Sequence, residues 1–370
     1  MLPYRPALRF KQGEYFAAAR IPREIQKHIE PYFIIPPPKE RDPEKGGPLT
    51  ADEIAQLTGE RLGKHWPLYR AYLDAQYVIP LLRDDGLLRM FQIAQARNPN
   101  LVPAVTLSQL QNPVWQKLVR PTAPRLAIHL PFEQLDDVAL IEGLRAVGCR
   151  AEDTDVFIDF TGAPFELEDI AASVAGQFDA LAEIAPWRHI IFQGSAYPVK
   201  NPAEEGKEIA VPRHEWMTFL RAMADCNVAP ERLGYSDFGA DCGEINFPRK
   251  GGGKPIRHAR YTGTKTTFVV RGKDTGSHAD NMTDVFKRLI ESEHFSGQGF
   301  SYADRRMWEA ANGISTCGNP SMWREWNMAH HMVRVVRDLG ALAGVTFADG
   351  PVTTIREQAS LFADADGQSS

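Results

Sequence analysis

The stretch Asp155-Val-Phe-Ile-Asp-Phe-Thr161 decides how the rest of the chain is interpreted. Its apolar residues are aromatic or β-branched, the run is short, and Gly162 and Pro164 end it, which is typical of a parallel strand buried on both faces. Asp159 lies near the carboxyl end of this predicted strand. Because barrels and doubly wound sheets bind their ligands at the carboxyl ends of strands, Asp159 is a candidate site residue.

Eight stretches of this kind alternate with amphipathic helical stretches along the chain. The helical stretches carry recognisable starts, such as Thr50 with Glu53 as its capping-box partner. Eight strands alternating with helices predict an α/β fold with a parallel sheet, and eight strands are the number that closes a single (β/α)8 barrel of the TIM type. The predicted strands span residues 4–10, 31–36, 75–80, 101–107, 125–130, 155–161, 189–195 and 233–238.

The pattern changes after the eighth predicted strand. Two stretches of alternating residues, 257–261 and 266–271, are joined across Thr262-Gly-Thr264 and predict a β-hairpin. We expect this hairpin, over residues 256–272, to be inserted after the eighth strand and to lie over the barrel mouth.

Helices are predicted in the C-terminal part of the chain, at residues 280–292, 302–312 and 320–339. The last of them has Asn319 as its cap and Pro320 in its first turn, and Gly340 follows its end. We expect this helix to close the barrel. The prediction is therefore one barrel domain, residues 1–345, followed by a partly disordered extension, residues 346–370.

The composition is that of an ordinary globular protein, since 43% of the 370 residues are hydrophobic and 24% are charged. No apolar run approaches the roughly 18 residues that span a bilayer, and the N-terminus lacks the apolar run of a signal peptide, so we expect a cytoplasmic protein without membrane contact. The net charge of -5 argues against broad, nonspecific nucleic-acid binding. The four cysteines are far apart in sequence, which favours reduced thiols over disulfides or a structural zinc site.

Polar residues end or follow the predicted strands, and parallel strands bring such residues to one rim. Alternation along the strands directs His129, Asp159 and Asp237 into the lumen. A histidine, several carboxylates and a lysine at one rim are the ordinary composition of a catalytic or metal site, and buried polar side chains that only satisfy one another are the alternative. The rim residues are Lys11, Glu14, His129, Asp159, Gln193, Ser195, Asp237 and Asp241.

Two basic features adjoin the predicted hairpin. The loop Lys250-Gly-Gly-Gly-Lys254 offers backbone N–H groups and ammonium charge to a phosphate, but it lacks the Walker spacing, and a flexible linker is the alternative. Arg257, Arg260, Lys265 and Arg271 add positive charge on the hairpin itself. These side chains form a solvated face, or, if they point towards the rim, they indicate an anionic ligand.

The predicted closing helix carries a second set of candidates. Trp323, Asn327 and His330 lie on one of its faces, and Arg324 and His331 lie on the next. Two adjacent histidines on a helix point about 100° apart, so they do not easily bind one metal together. The helix either locks the barrel shut or contacts the ligand directly.

Four stretches stand out by their order and spacing: Tyr4-Arg-Pro-Ala-Leu-Arg-Phe-Lys-Gln-Gly-Glu-Tyr15, Pro31-Tyr-Phe-Ile-Ile-Pro-Pro37, Ile158-Asp-Phe160 and Trp323-Arg-x-x-Asn-x-x-His-His331. Together they resemble the beta protein family, which is named for a T-even phage protein and occurs in bacteria and phages. The resemblance implies no established activity, and the family's occurrence suggests a role in phage–host conflict. By this resemblance the family motifs are carried by Lys11, Glu14, Asp159, Trp323, Arg324, Asn327, His330 and His331.

Two functions are compatible with these residues. The first is a hydrolase-like enzyme whose anionic, phosphate-bearing substrate, a small molecule or a nucleotide, is held by Lys11 and by Arg260 or Arg324. His129, with Asp159 or Glu14, then acts as acid and base, and a divalent metal on the carboxylates is a further expectation. The remaining candidates for ligand binding are Gln193, Asp237, Asn327, His330 and His331.

The second function is that of a non-catalytic recognition or assembly subunit of an antiviral defence system. In that case the same barrel mouth binds a phage or host component, and a protein partner from a defence operon is expected. A bound ligand, or a cluster of perturbed pKa values at the rim, favours the enzyme. A rim filled by paired side chains favours the binding protein.

Overall fold

The structure is a computed structural model that describes residues 1–38, 48–119, 125–247 and 255–352. The loop 250–254 and most of the predicted extension 346–370 lie outside the described residues. Within the described ranges, no helix combines the length and the apolar character that crossing a bilayer requires.

The described residues form a large parallel sheet and a small antiparallel sheet. The larger sheet has the strand order β1-β2-β3-β4-β5-β6-β7-β9, and the smaller has the order β10-β11-β8. In chain order the strands are β1 (Ala7–Arg9), β2 (Tyr32–Ile34), β3 (Ala71–Asp74), β4 (Leu101–Thr106), β5 (Leu126–Pro131), β6 (Thr154–Asp159), β7 (His189–Gln193), β8 (Glu208–Pro212), β9 (Leu233–Ser236), β10 (His258–Thr262) and β11 (Thr266–Arg271).

The larger sheet closes on itself between β1 and β9. A parallel bridge joins Tyr4 to Tyr235, and the backbone N–H groups of Arg5 and Ala7 donate to the carbonyls of Tyr235 (3.0 Å) and Asp237 (2.7 Å). The seam is therefore held by main-chain hydrogen bonds, as the other strand pairs are.

The strand pairing also fixes the stagger of this barrel. Starting at Arg9, the line of paired residues runs through Ile34, Asp74, Ala104, Ala127, Asp155 and His189. The pairing of β7 with β9 and the Tyr4–Tyr235 bridge carry this line of paired residues back to the first strand. It arrives there at Met1, eight residues before Arg9. A stagger of eight residues over eight strands is that of a TIM barrel, so the predicted single (β/α)8 barrel is confirmed.

Helices follow the barrel strands and bury their apolar faces against the outside of the sheet. The capping box of Thr50 and Glu53 is present as predicted. The helices are α1 (Gln12–Arg20), α2 (Arg23–Gln26), α3 (Ala51–His65), α4 (Ile79–Arg97), α5 (Val114–Leu118), α6 (Asp137–Val147), α7 (Ile170–Ile184), α8 (His214–Asp225), α9 (His278–Glu291), α10 (Tyr302–Ala311) and α11 (Pro320–Leu342).

The third strand lies earlier than predicted. The prediction was residues 75–80, but the strand is β3, which ends at Asp74, and α4 begins at Ile79 with Pro80 in its first turn. A proline at that position leaves no helical hydrogen bond unmade, so the apolar run around it starts a helix instead of forming a strand.

The predicted hairpin over residues 256–272 is present as β10 and β11, and β8 adds a third strand that the sequence did not predict. This small sheet packs on α9 and α11. The mouth of the barrel is crossed by the segment that follows β9, because Arg9 donates from Nη2 to the carbonyls of Cys242 (2.9 Å) and Glu244 (2.8 Å). From the hairpin, Arg260 reaches the same segment.

The amino-terminal end of the lumen is filled by a buried ionic cluster around Asp155. Burial raises the pKa of this carboxyl, but the hydrogen bond from His189 and the charge of Arg5 outweigh burial, so the pKa lies below its ordinary value. A Cβ at Gly234 would collide with the Arg5 guanidinium, so only glycine leaves room for it there. Asp155 contacts His189 Nδ1 (2.6 Å), Tyr72 Oη (2.9 Å), Arg188 Nη1 (2.9 Å) and Arg70 Nη1 (3.3 Å).

The closing helix α11 begins at Pro320 as predicted and packs against α1, α10 and β10. The side chain of Asn319 caps it by accepting from the backbone N–H groups of its first turn. Its His330 is fully buried, with Nδ1 3.0 Å from Asp304 Oδ2 and Nε2 2.9 Å from the carbonyl of Thr262. Both ring nitrogens therefore tie α11 to its neighbours α10 and β10.

Replacing Asp155 with Ala is expected to lower the free energy of unfolding by about 3–5 kcal/mol, because the change leaves buried arginines without their carboxylate. Urea unfolding measures the loss. The matched control is Asp153→Ala, which breaks a solvent-screened surface pair with Arg150 and is expected to change the stability little. Equal losses in the two variants would show that the cluster contributes nothing to stability.

Replacing His330 with Ala is expected to lower the melting temperature by several degrees, because two buried hydrogen bonds and the stacking on Tyr261 are lost together. Thermal unfolding followed by circular dichroism measures the shift. The control, His214→Ala, removes a half-buried ring from the start of α8 and is expected to change the melting temperature little. An unchanged melting temperature for His330→Ala would mean that the helix does not depend on this anchor.

Candidate functional site

The carboxyl end of the lumen is lined by polar side chains. In a TIM barrel, each layer of the lumen takes four side chains from alternate strands. The observed pairing places Ala7, Asp74, His129 and Gln193 in one layer, and Ile34, Thr106, Asp159 and Phe238 in the layer above it. Three of the four residues in the lower of these layers are polar, in contrast to the apolar centre of the lumen around Tyr32, Phe157 and Ile191.

His129 and Asp159 form a hydrogen-bonded pair at this end, with Nε2 3.0 Å from Oδ2. Burial lowers the pKa of His129, but the hydrogen bond and the charge of Asp159 outweigh it, so the pKa is raised. For Asp159, burial raises the pKa, and the bond from His129 outweighs it and lowers the pKa. Asp159 also accepts from the backbone N–H of Thr161 (2.8 Å) through its other oxygen. The carboxylate thus fixes the ring and favours its protonated form.

Asp74 lies in the same layer as His129, although it is not among the site residues predicted from the sequence. Its carboxylate accepts from Tyr32 Oη (3.1 Å) and from the side chain (2.7 Å) and backbone (2.9 Å) of Gln76. Burial raises the pKa of this carboxyl, and the charge of nearby His129 opposes the rise without cancelling it. Asp74 was not predicted as a site residue because the third strand was predicted to begin after it. Its signal was present, because Ala71-Tyr-Leu-Asp74 ends in an aspartate as β6 does.

A second cluster, centred on Asp241, lies where the segment after β9 crosses the mouth. Its carboxylate is 2.6 Å from Arg260 Nη1, 3.0 Å from Arg9 Nη1 and 3.2 Å from Arg324 Nη2. Burial raises the pKa of Asp241, but the charges of Arg260, Arg324 and Arg9 outweigh burial and hold it well below its usual range. Three arginines from β1, β10 and α11 thus converge on one carboxylate.

Glu14 and Lys11 extend this arginine cluster. Glu14 Oε1 is 2.5 Å from Arg324 Nη1, and burial raises the pKa of Glu14 in spite of that charge. Burial and the charge of Arg324 both lower the pKa of Lys11, whose ammonium lies 5.1 Å from the centre of the Phe247 ring. Glu14, predicted to act with His129, is therefore held by an arginine at the edge of the mouth.

Asp237 was predicted to face the lumen, and this prediction is wrong. The side chain of the preceding residue, Ser236, points into the lumen, so the side chain of Asp237 points outward. There it accepts a hydrogen bond from Tyr4 Oη at 2.5 Å. Its second oxygen is 2.9 Å from His331 Nε2 of α11. Both faces of β9 are buried, so its polar and apolar residues do not alternate in a way that shows which face points into the lumen. The predicted orientation was therefore wrong.

Three further predicted ligand residues lie on α11, away from the lumen. His330 and His331 are buried, and their ring nitrogens contact side chains and carbonyls of neighbouring elements. Asn327 Oδ1 accepts from the backbone N–H of Arg260 at 3.2 Å and so positions β10. The structure places these side chains in the packing between α11 and its neighbours, whereas Arg324 of the same helix reaches the mouth.

The beta protein family matches residues 4–337. The chain belongs to the beta protein family. This confirms the resemblance drawn from the four sequence stretches. Comparison with curated proteins gives no match.

Solved structures give distant likenesses to this beta-family barrel. The carboxyl transferase domain of Rhizobium etli pyruvate carboxylase with 3-hydroxypyruvate has 12% identity and a TM-score of 0.31, and the match covers 99% of this chain and 54% of that chain. A second structure of the domain has 13% identity and a TM-score of 0.30, and covers 94% and 50%. The beta-family chain spans about half the length of these proteins. At such scores the likeness carries no argument about function.

The polar groups of the beta-family barrel are suited to proton transfer and anion binding. A histidine oriented by a carboxylate, with a second buried carboxyl beside it, can donate and accept protons. Arginines and a lysine can hold an anion. Among the described residues, no group of three or more His, Cys, Asp or Glu side chains is arranged to hold a metal ion.

Replacing Asp159 with Asn is expected to destabilise the barrel by about 1–2 kcal/mol at mid-acidic pH and by less at alkaline pH. The pKa of His129 is raised above its ordinary 6.5, so the stability from the pair is fully present below pH 6.5 and is lost as the pH rises through the raised value. The lowered pKa of Asp159 means that this stability is present above its ordinary 3.8 and is lost as the pH falls through the lowered value.

Urea unfolding of both proteins between pH 3 and pH 9, roughly the range of these two titrations, measures that difference. The stability difference is expected to be largest between the two ordinary pKa values, 3.8 and 6.5. A difference that does not change with pH would contradict the assignment of a charged His129–Asp159 pair.

Proposed function

We propose that the barrel mouth binds an anionic, phosphate-bearing ligand and that His129, oriented by Asp159, transfers a proton to it in a hydrolase-like reaction. The observation that carries the proposal is the surplus of positive charge around Asp241, next to the polar end of the lumen. The proposed setting is the cytoplasm, which fits four free cysteines.

The cations at the mouth outnumber the carboxylates with which they form ion pairs. Arg9, Arg260 and Arg324 share the carboxylates of Asp241 and Glu14. Lys11 adds a fourth cation, and no carboxylate of the described residues pairs with it within 4.0 Å. Burial lowers the pKa of Lys11, so its charged form is poorly solvated there. An anion beside Lys11 relieves this cost, and phosphate with its several acceptor oxygens suits such a cluster.

The proton-transfer part of the proposal rests on the His129–Asp159 pair. The hydrogen bond and the charge of Asp159 raise the pKa of His129 and so favour the protonated ring, which is the form that can donate a proton to a departing oxygen. About one sixth of each side chain is exposed (15% and 17%), so the pair is reachable from the mouth. The elevated pKa of Asp74 adds a carboxyl that can exchange protons with the ligand.

A recognition or assembly subunit of a defence system is the second candidate. Ile245 and Phe247, from the segment that crosses the mouth, pack with Phe238 and Tyr77 on the lumen core. An apolar cover with paired arginines suits a surface that binds a partner without turnover. In this case we propose that a protein partner from a phage or its host binds at the cover.

Isothermal titration with inorganic phosphate tests the anion site. Wild-type protein is expected to bind phosphate, and Lys11→Gln is expected to bind it about tenfold more weakly, because one of the four cations at the mouth is lost. Lys117→Gln, which changes an exposed lysine of α5, is the control and is expected to bind like the wild type. Equal binding by Lys11→Gln, or no binding by the wild type, would refute the proposed anion site.

Phosphate release from a panel of phosphate monoesters tests turnover. Wild-type protein is expected to release phosphate from at least one of them, and His129→Asn is expected to be slower by at least about a hundredfold. Phosphate binding without any release from the panel would favour the recognition subunit over the enzyme.

A further inference from the structure

Gln193 lies at the end of β7 in the same lumen layer as Asp74 and His129. Its side chain is 1% exposed, and its Oε1 has no hydrogen-bond partner among the described residues. An unpaired buried amide oxygen destabilises a folded protein, so such a group calls for an explanation. Its neighbour in register, Ser236, is fully buried and also has an unpartnered oxygen.

The two carboxylates near Gln193 already have hydrogen-bond partners of their own. Asp159, its partner in register on β6, accepts from His129 and Thr161, and Asp74 accepts from Tyr32 and Gln76. The fourth member of the layer is Ala7, whose short side chain leaves the centre of the layer less filled than a larger residue would. The free amide oxygen of Gln193 therefore shares its layer with the carboxylate of Asp74 and lies next in register to Asp159, and neither carboxylate gives it a hydrogen bond.

We infer that Gln193 binds the buried end of the ligand and that this end carries a hydroxyl or an amino group. The inference rests on the proposed function, which places the phosphate group near Lys11 and Arg9. Gln193 Oε1 accepts a hydrogen bond from the ligand's O–H or N–H. A ligand end that can only accept hydrogen bonds leaves Oε1 without a partner, so a hydroxyl or an amino group is preferred there over a carboxylate.

The distance between the layer of Arg9 and the layer of Gln193 determines how long such a ligand must be. Gln193 lies two residue steps below the layer of Arg9, which corresponds to about 5 Å along the axis of a barrel with tilted strands. A phosphate monoester with its hydroxyl three to five carbons from the ester oxygen covers this depth and part of the width of the lumen. The substrate class is therefore a small hydroxylated or aminated phosphate ester.

Matched pairs of probes test this assignment. The ω-hydroxyalkyl phosphates with three, four and five carbons are compared with alkyl phosphates in which a methyl group replaces the terminal hydroxyl. Wild-type protein is expected to bind at least one hydroxylated probe about tenfold more tightly than its methyl counterpart, because a buried acceptor is left unpaired by the latter. Gln193→Met, which removes the acceptor at similar volume, is expected to lose this preference and to bind inorganic phosphate as the wild type does.

The melting temperature of the ligand-free protein separates ligand binding from a structural role. Gln193→Met is expected to keep or raise it, because an unpaired buried oxygen is replaced by an apolar group. The surface control, Gln92→Met on α4, is expected to change neither the melting temperature nor the preference. A melting temperature lowered by several degrees in Gln193→Met, or a hydroxyl preference retained by it, would overturn the inference.

The two proposals fail in different ways. If wild-type protein binds inorganic phosphate but does not distinguish the paired probes, the assignment of Gln193 is overturned and the anion site stands. If wild-type protein binds neither phosphate nor any of the probes, the proposed function and this inference are overturned together.

Discussion

The barrel depends on the seam between its first and last strands, and Asp237 holds that seam from the outside. Its carboxylate accepts from Tyr4, just before β1, and contacts His331 of α11. Because β1 is only three residues long, its main-chain bonds to β9 are few. The buried carboxylate of Asp237 joins both edges of the sheet to the covering helix α11, and so restrains a seam that has few main-chain bonds. Closure of the barrel in turn fixes which residues of neighbouring strands share a layer of the lumen.

Closure at the seam also gives the two ends of the lumen different electrostatics. At the amino-terminal end, Asp155 is buried between Arg70, Arg188 and His189 and fills the lumen. At the carboxyl end, α11 brings Arg324 to Asp241, and β10 brings Arg260. Cations there outnumber the carboxylates that pair with them, and the polar layer with His129 lies next to them. Both ends hold more cations than carboxylates, and the carboxyl end differs because Arg324 is partly exposed there and a ligand can use its charge.

The site was predictable from the sequence where a strand signal and its terminal residue were both clear. Asp159 and His129 were found in this way, and the structure pairs them. Asp74 was missed because the third strand was placed after it, and Asp237 was assigned to the wrong face because alternation carries no information in a strand buried on both sides. The strand β8 was also missed, since it is short and exposed and lies at the edge of the small sheet, where it pairs with β11.

The sequence by itself determined the barrel, the closing helix and the family, because these depend on local patterns: the number of strand-like runs, helix caps and the motif order. Only the tertiary structure decided which polar residues meet. The convergence of Arg9, Arg260 and Arg324 on Asp241 joins residues that are far apart in the chain. The stagger of the strands decides that Gln193 shares a layer with His129, and the stagger is set by pairing around the whole barrel rather than by any single strand.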